Sequence, residues 1–137
     1  MKISVTYREI ENYIAGKTGR RVGLSKVSDK EVCVSVSQHV IFKTIQIGIN
    51  VRVDSISNDE LNLTYDGGFG LDLIISGLMS LVKNKLPEAS RYFETSDGHH
   101  VKIMLSKIDK LKSVLDKVSL ASLNFTDDAV VLEARLK

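Results

Sequence analysis

Gly67-Gly68-Phe69-Gly70-Leu71-Asp72-Leu73-Ile74-Ile75-Ser76-Gly77-Leu78-Met79-Ser80-Leu81-Val82-Lys83-Asn84-Lys85-Leu86-Pro87 is the stretch whose reading decides the expected fold. A glycine cluster ends a strand pattern, and one long apolar helix is expected to follow. At ~100° per residue, most of its apolar positions fill an arc of roughly 160°, wider than the ~100° stripe of an ordinary surface helix. Asp72, Ser76, Ser80 and Lys83 hold the remaining side. A helix this broadly apolar is expected to be wrapped rather than docked on one side, and Pro87 marks its exit.

Alternating strands flank it. Upstream, Ile45, Ile47, Ile49, Val51 and Val53 alternate with Gln46, Gly48, Asn50, Arg52 and Asp54 in a segment read from about Val40 to Ile56. That is the period of an antiparallel strand with one buried face. Val22, Leu24 and Val27, then Val32, Val34 and Val36, form two earlier strands, and Leu61, Leu63 and Tyr65 form the next. Thr6-Tyr7-Arg8-Glu9 spells a capping box, so a first helix is expected from Thr6, ended by Gly16 and Gly19. Downstream, Tyr92-Phe93 and Val101–Leu105 flank an Asp97-Gly98 hairpin signal. Ile108, Leu111, Val114 and Leu115 predict a short amphipathic helix near residue 110. Val118–Phe125 slips phase at Ala121-Ser122, which predicts a bulge. Thr126-Asp127-Asp128 turns the chain into Val130–Leu136.

The 137 residues predict one domain, 1–137, with ordinary globular values of 43% hydrophobic and 26% charged. A net charge of +2 and 6% aromatics argue against nucleic acid as a partner. Cys33, the single cysteine, falls among valines as a small strand residue with no base in view. The polar start and the interrupted apolar run at 69–82 predict a cytoplasmic chain as it stands, or an extracytoplasmic one if Met1 replaces a removed leader.

No chemical motif emerges. Gly16-Lys17-Thr18 lacks the first glycine of a phosphate loop, since Glu11 stands there. Gly67-Gly68-Phe69-Gly70 lacks the third dinucleotide-loop glycine, since Leu73 stands there. His39, His99 and His100 lack ligand spacing, and strand neighbours point to opposite faces. Asn58-Asp59-Glu60 and Asp127-Asp128 read as solvated turns. No catalytic residue, metal or cofactor is therefore expected, and the chain is read as a non-enzyme. Basic residues at Arg20-Arg21, Lys83-Lys85 and Lys107–Lys112 read as solvated faces, or as a peripheral contact with an anionic membrane.

The order of Thr6–Ala15, Ile45–Val53, Leu61–Tyr65, Gly68–Leu86 and Val101–Leu136 resembles the tubular lipid-binding, bactericidal permeability-increasing protein-like group. The likeness is one of pattern, without a diagnostic motif. It implies an elongated apolar groove between a rolled sheet and a long helix. The expected fold is α+β: a curved antiparallel sheet wrapped around one long apolar helix, with shorter helices near the N-terminus and residue 110. The expected function is non-enzymatic binding of an apolar or amphipathic, lipid-like ligand in that groove, lined by Ile47, Ile49, Val51, Ile74, Leu78 and Val82. The alternative is a protein-interaction or structural module whose same residues form a solid core. Oligomeric state is left open by the sequence.

Overall fold

The computed structural model describes residues 1–67, 80, 83–84, 91–96 and 99–137. After β1 (Lys2–Thr6) comes helix α1 (Tyr7–Thr18), followed by β2 (Val22–Ser28), β3 (Glu31–Val40), β4 (Lys43–Ile56) and β5 (Glu60–Gly67). Then come β6 (Phe93–Ser96), β7 (His100–Met104), a 3-10 turn at Leu105–Lys107, α2 (Asp109–Leu115), β8 (Val118–Phe125) and β9 (Ala129–Leu136).

The local signals act as elementary chemistry dictates. Thr6 caps α1: its hydroxyl accepts the Glu9 N–H at 3.2 Å, and its own N–H reaches Glu9 Oε1 at 3.4 Å. Such a cap typically stabilises by ~1 kcal/mol. Gly19, at φ 73°, ends the helix by donating its N–H to the Ala15 carbonyl. Gly16 lies inside α1 and does not end it. The phase slip read in β8 is a register shift between Leu120 and Ser122.

The strands divide into two antiparallel sheets. One has the order β1-β9-β8, the other β2-β3-β4-β5-β7-β6. In the larger sheet Val32, Val34 and Val36 oppose Val51, Ile49 and Ile47, while Val53 and Val51 oppose Leu63 and Tyr65. Directly opposed residues share a face, so period-two alternation in each strand produces one apolar face. That face is covered at one end by the smaller sheet. Tyr7, Val32, Val53 and Phe125 are buried there together, with Leu24, Val34, Leu61, Leu63, Leu123 and Val130 packed against them. The Asp29 carbonyl accepts the Phe125 N–H at 2.8 Å, and Lys30 Nζ donates to the Leu123 carbonyl at 3.1 Å.

This arrangement corrects the expected α+β architecture of a curved sheet wrapped around one long helix. The chain is sheet-dominated, and among the described residues a second sheet packs on one end of the core face. Alternation along a strand shows that one face is buried, but it does not say by what. The described helices α1 and α2 have 12 and 7 residues, and neither is a long apolar helix. The stretch read as that helix lies outside the described residues except for Ser80, Lys83 and Asn84. The lipid-binding assignment and the tubular likeness leaned on that architecture and lose its support.

A second correction concerns the longest strand. It was expected from about Val40, but Val40 belongs to β3 and pairs with Lys43 across a two-residue turn, Ile41-Phe42. No Gly, Asn, Asp or Pro marks this turn, so turn chemistry could not reveal it. Phe42 adopts φ 70° nonetheless, in the left-handed region that a bulky side chain disfavours.

Candidate functional site

The turn just described is the outer end of a projecting hairpin. β2 makes its last pairing to β3 at Val36, and β5 makes its last pairing to β4 at Ile49. From Ser37 to Gly48 the two strands therefore have only each other as strand partners among the described residues. Four residues of β3 extend past Val36, a projection of ~13 Å at ~3.3 Å per residue. At the tip Ile41 is 81% exposed and Phe42 is fully exposed. Both lie at the end of the large sheet opposite the Asp29-Lys30 turn that meets Phe125.

Basic residues gather where the hairpin leaves the sheet. Val22 pairs with Val36, so the exposed Arg20 and Arg21 precede β2 at that level. Lys17 lies in the last turn of α1, just before the Gly19 cap, with its ammonium 5.8 Å from the centre of the Tyr13 ring. Lys43 follows Phe42 directly and is exposed. Asp66, opposite Asn50 on the neighbouring strand, is acidic, and its carboxylate accepts the Gly67 N–H at 2.8 Å.

A polar cluster occupies the other face of the same sheet. Arg52, Thr64 and His100 lie in one row across β4, β5 and β7. The irregularity between Val53 and Ser55 sets Asp54 beside them. Asp54 Oδ1 accepts from Arg52 Nε at 3.1 Å, and its Oδ2 accepts from the Thr64 hydroxyl. His100 Nδ1 lies 3.0 Å from Thr64 Oγ1 and 3.8 Å from Asp54 Oδ2. The Thr64 donation, then the Arg52 guanidinium, hold the Asp54 carboxyl below the usual carboxylate range. The group resembles a hydroxyl–imidazole–carboxylate relay in composition but not in wiring. A relay needs the imidazole to bridge hydroxyl and carboxylate through its two different nitrogens. Here one His100 nitrogen faces both, and the hydroxyl gives its proton directly to the carboxylate. The arrangement pins three strands and lacks the imidazole bridge that a relay needs. Glu60, Asn62 and Lys102 form a second lacing alongside, with Lys102 Nζ 3.5 Å from Glu60 Oε2.

The expected site residues fall unevenly. Ile49 is buried, and it packs with the half-buried Ile47 and Val51 and with Tyr65. Ile74, Leu78 and Val82 lie outside the described residues. His99 and His100 have separate partners: His99, before β7, stacks on Tyr65 at 5.1 Å, while His100, within it, joins the Asp54 cluster. Among the described residues no group of three His, Cys, Asp or Glu side chains could hold a metal ion. Among the described residues, open depressions of about 190 and 210 Å³ lie on the surface, one at Asn58, Asp59, Lys112 and Lys137, the other at Met1, Lys2, Glu133 and Arg135. Both are charged and smaller than typical small-molecule sites.

The tip and the Asp54 cluster both escaped sequence reading. The tip did leave a signal. Val40-Ile41-Phe42 places three large apolar residues in succession, and a strand of period two cannot bury all three on one face. The cluster left none, because the pairing of β4 with β5 and β7 is a tertiary fact.

Among the described residues no helix is long and apolar enough to cross a membrane. No family model, curated protein or solved structure matches the chain, so its likeness to any known group stands on sequence pattern alone.

Proposed function

We propose that the chain is a non-enzymatic module that binds an apolar or amphipathic partner surface through the tip of the β3–β4 hairpin. The observation that carries this reading is Phe42, fully exposed at φ 70°. Burying a Phe or Ile side chain stabilises by ~1.5–3 kcal/mol, and the tip forgoes this at two adjacent positions. The left-handed conformation costs a further ~1–2 kcal/mol for a residue bearing a Cβ. A turn shaped for folding alone would carry Gly or Asn at the φ 70° position, which satisfies both demands there. A residue that is doubly unfavourable for the isolated chain suits a chain that meets something else. The packing of Ile49 against Ile47, Val51 and Tyr65 favours a filled core over an internal ligand groove.

Photo-cross-linking tests the reading. A benzophenone analogue of phenylalanine replaces Phe42 in the host cell, and in a control it replaces Val114 on α2, which is 46% exposed. Products, whether to protein or to lipid, are expected from position 42 well above those from position 114. Equal yields at the two positions would remove the support for docking at the tip.

A further inference from the structure

We infer that the surface met by the β3–β4 tip is an anionic membrane interface, with Ile41 and Phe42 entering the acyl boundary and Lys17, Arg20, Arg21 and Lys43 held at the headgroups. This rests on the docking reading above and names its partner.

Three observations point to that partner. The first is charge. Residues 32–51 contain no Asp or Glu, and Lys43 is their one Lys or Arg. No ion pair among the described residues joins Arg20, Arg21 or Lys43 to a carboxylate. Desolvating a carboxylate beside an anionic surface opposes insertion, and the hairpin spares itself that cost. Cations near such a surface are attracted within a Debye length.

The second is reach. The tip stands ~13 Å beyond Val36, counted at ~3.3 Å per residue. Interfacial elements bury their apolar parts by roughly 5–10 Å. The tip can therefore enter the acyl boundary while Arg20 and Arg21, at the level of Val22, remain among headgroups.

The third is the distribution of the cations. They come from the end of α1, the start of β2 and the start of β4. Charges contributed by three elements around one apolar tip complement a broad, continuous anionic surface. A pocket in a protein would need to seat only Ile41 and Phe42.

Vesicle sedimentation of the full chain decides it. Phosphatidylcholine vesicles are compared with vesicles carrying phosphatidylglycerol at about three parts in ten, at low and at high salt. The expected result is ~10-fold or stronger preference for the anionic vesicles, weakening as salt rises. Two multiple variants, Ile41→Ser with Phe42→Asn, and Arg20→Gln with Arg21→Gln and Lys43→Gln, should each lower binding ~10-fold or more. All five positions are exposed, and circular dichroism confirms that each variant is folded. The chain lacks tryptophan, so Phe42→Trp supplies a single tryptophan, excited apart from the four tyrosines, whose emission should shift to the blue only with anionic vesicles. Binding that the tip variant leaves unchanged would overturn the inference. So would absence of binding to either vesicle; in that case cross-links from position 42 to protein would leave the docking reading standing. No vesicle binding and no cross-link above the control would sink both.

Discussion

Asn58→Ala tests how the two sheets are joined. Asn58 sits in the turn between β4 and β5, yet its hydrogen bonds all run to the α2–β8 junction. Its Nδ2 donates to the carbonyls of Leu115 at 3.1 Å and Val118 at 2.8 Å, and its Oδ1 accepts the Leu120 N–H at 2.8 Å. One side chain thus closes three backbone groups around the entry to the smaller sheet. At ~0.5–1.5 kcal/mol net per bond, the set sums to roughly 1.5–4.5 kcal/mol. Asn58 borders the open depression of about 190 Å³, so water can reach part of what the truncation exposes. The expected loss is therefore ~2–3 kcal/mol. For a chain of this length that lowers the melting temperature by roughly 6–12 °C. Urea unfolding should show a lower midpoint with an unchanged slope, since no additional surface is exposed. Asn58→Asp is the sharper probe. It keeps the acceptor for Leu120 but turns a carboxylate oxygen toward two carbonyls, so at neutral pH it should be no more stable than the alanine variant. Below about pH 4 the protonated carboxyl can donate, and part of the loss should return. A stability change within ~0.5 kcal/mol for Asn58→Ala would refute the reasoning, because that is the range of a surface change without consequence.

Three further outcomes follow from the same structure. Phe42→Asn should raise unfolding stability by ~0.5–1 kcal/mol, since asparagine tolerates φ 70° better; a fall in midpoint would mean that Phe42 packs on the fold. Tyr7 is buried and donates its hydroxyl to the Thr126 carbonyl, so Tyr7→Phe should cost ~0.5–1.5 kcal/mol in chemical unfolding. Burial raises the Tyr7 pKa above its ordinary value, so its contribution is full below about pH 10 and is lost as pH rises through the folded value. The stability of Tyr7→Phe should accordingly fall less between pH 9 and 11 than that of the parent chain, and parallel curves would contradict it. Asp54 is shifted downward, chiefly by Thr64, so its contribution is full above the ordinary carboxylate range and is lost as pH falls through the folded value. Thr64→Val should raise the Asp54 pKa in a carboxyl NMR titration and flatten the acid limb of stability, and an unmoved titration would mean that Arg52 and His100 hold the shift without Thr64.

Much of the local structure was legible because its causes are local. Thr6 and Glu9 lie three residues apart, and that spacing alone makes the capping box. The alternation from Ile45 to Val53 fixes a strand with one buried face, whatever covers it. The slip at Ala121-Ser122 marks a bulge because one extra residue reverses the facing of every residue beyond it. The turn at Ile41-Phe42 was not legible as a turn, because its residues carry none of the backbone preferences that identify one. It was missed at the very position where local preference and observed conformation disagree, as is expected where a site answers to something beyond folding.

By itself the sequence determined most of the strands, though not β1 (Lys2–Thr6) or the break at Ile41-Phe42, where the first helix begins, and which side of the alternating strands avoids water. Only the tertiary structure decided that the strands form two sheets, that Phe125 and Tyr7 close the core over Val32 and Val53, and that Asp54, Thr64 and His100 meet across three strands. The reason is physical. Hydrophobic burial is non-directional, so a face reading Ile-Val-Val is satisfied equally by a helix or by another sheet. Which one covers it depends on how distant segments pair and on the shapes their side chains fill, and neither is written in the period of any one segment.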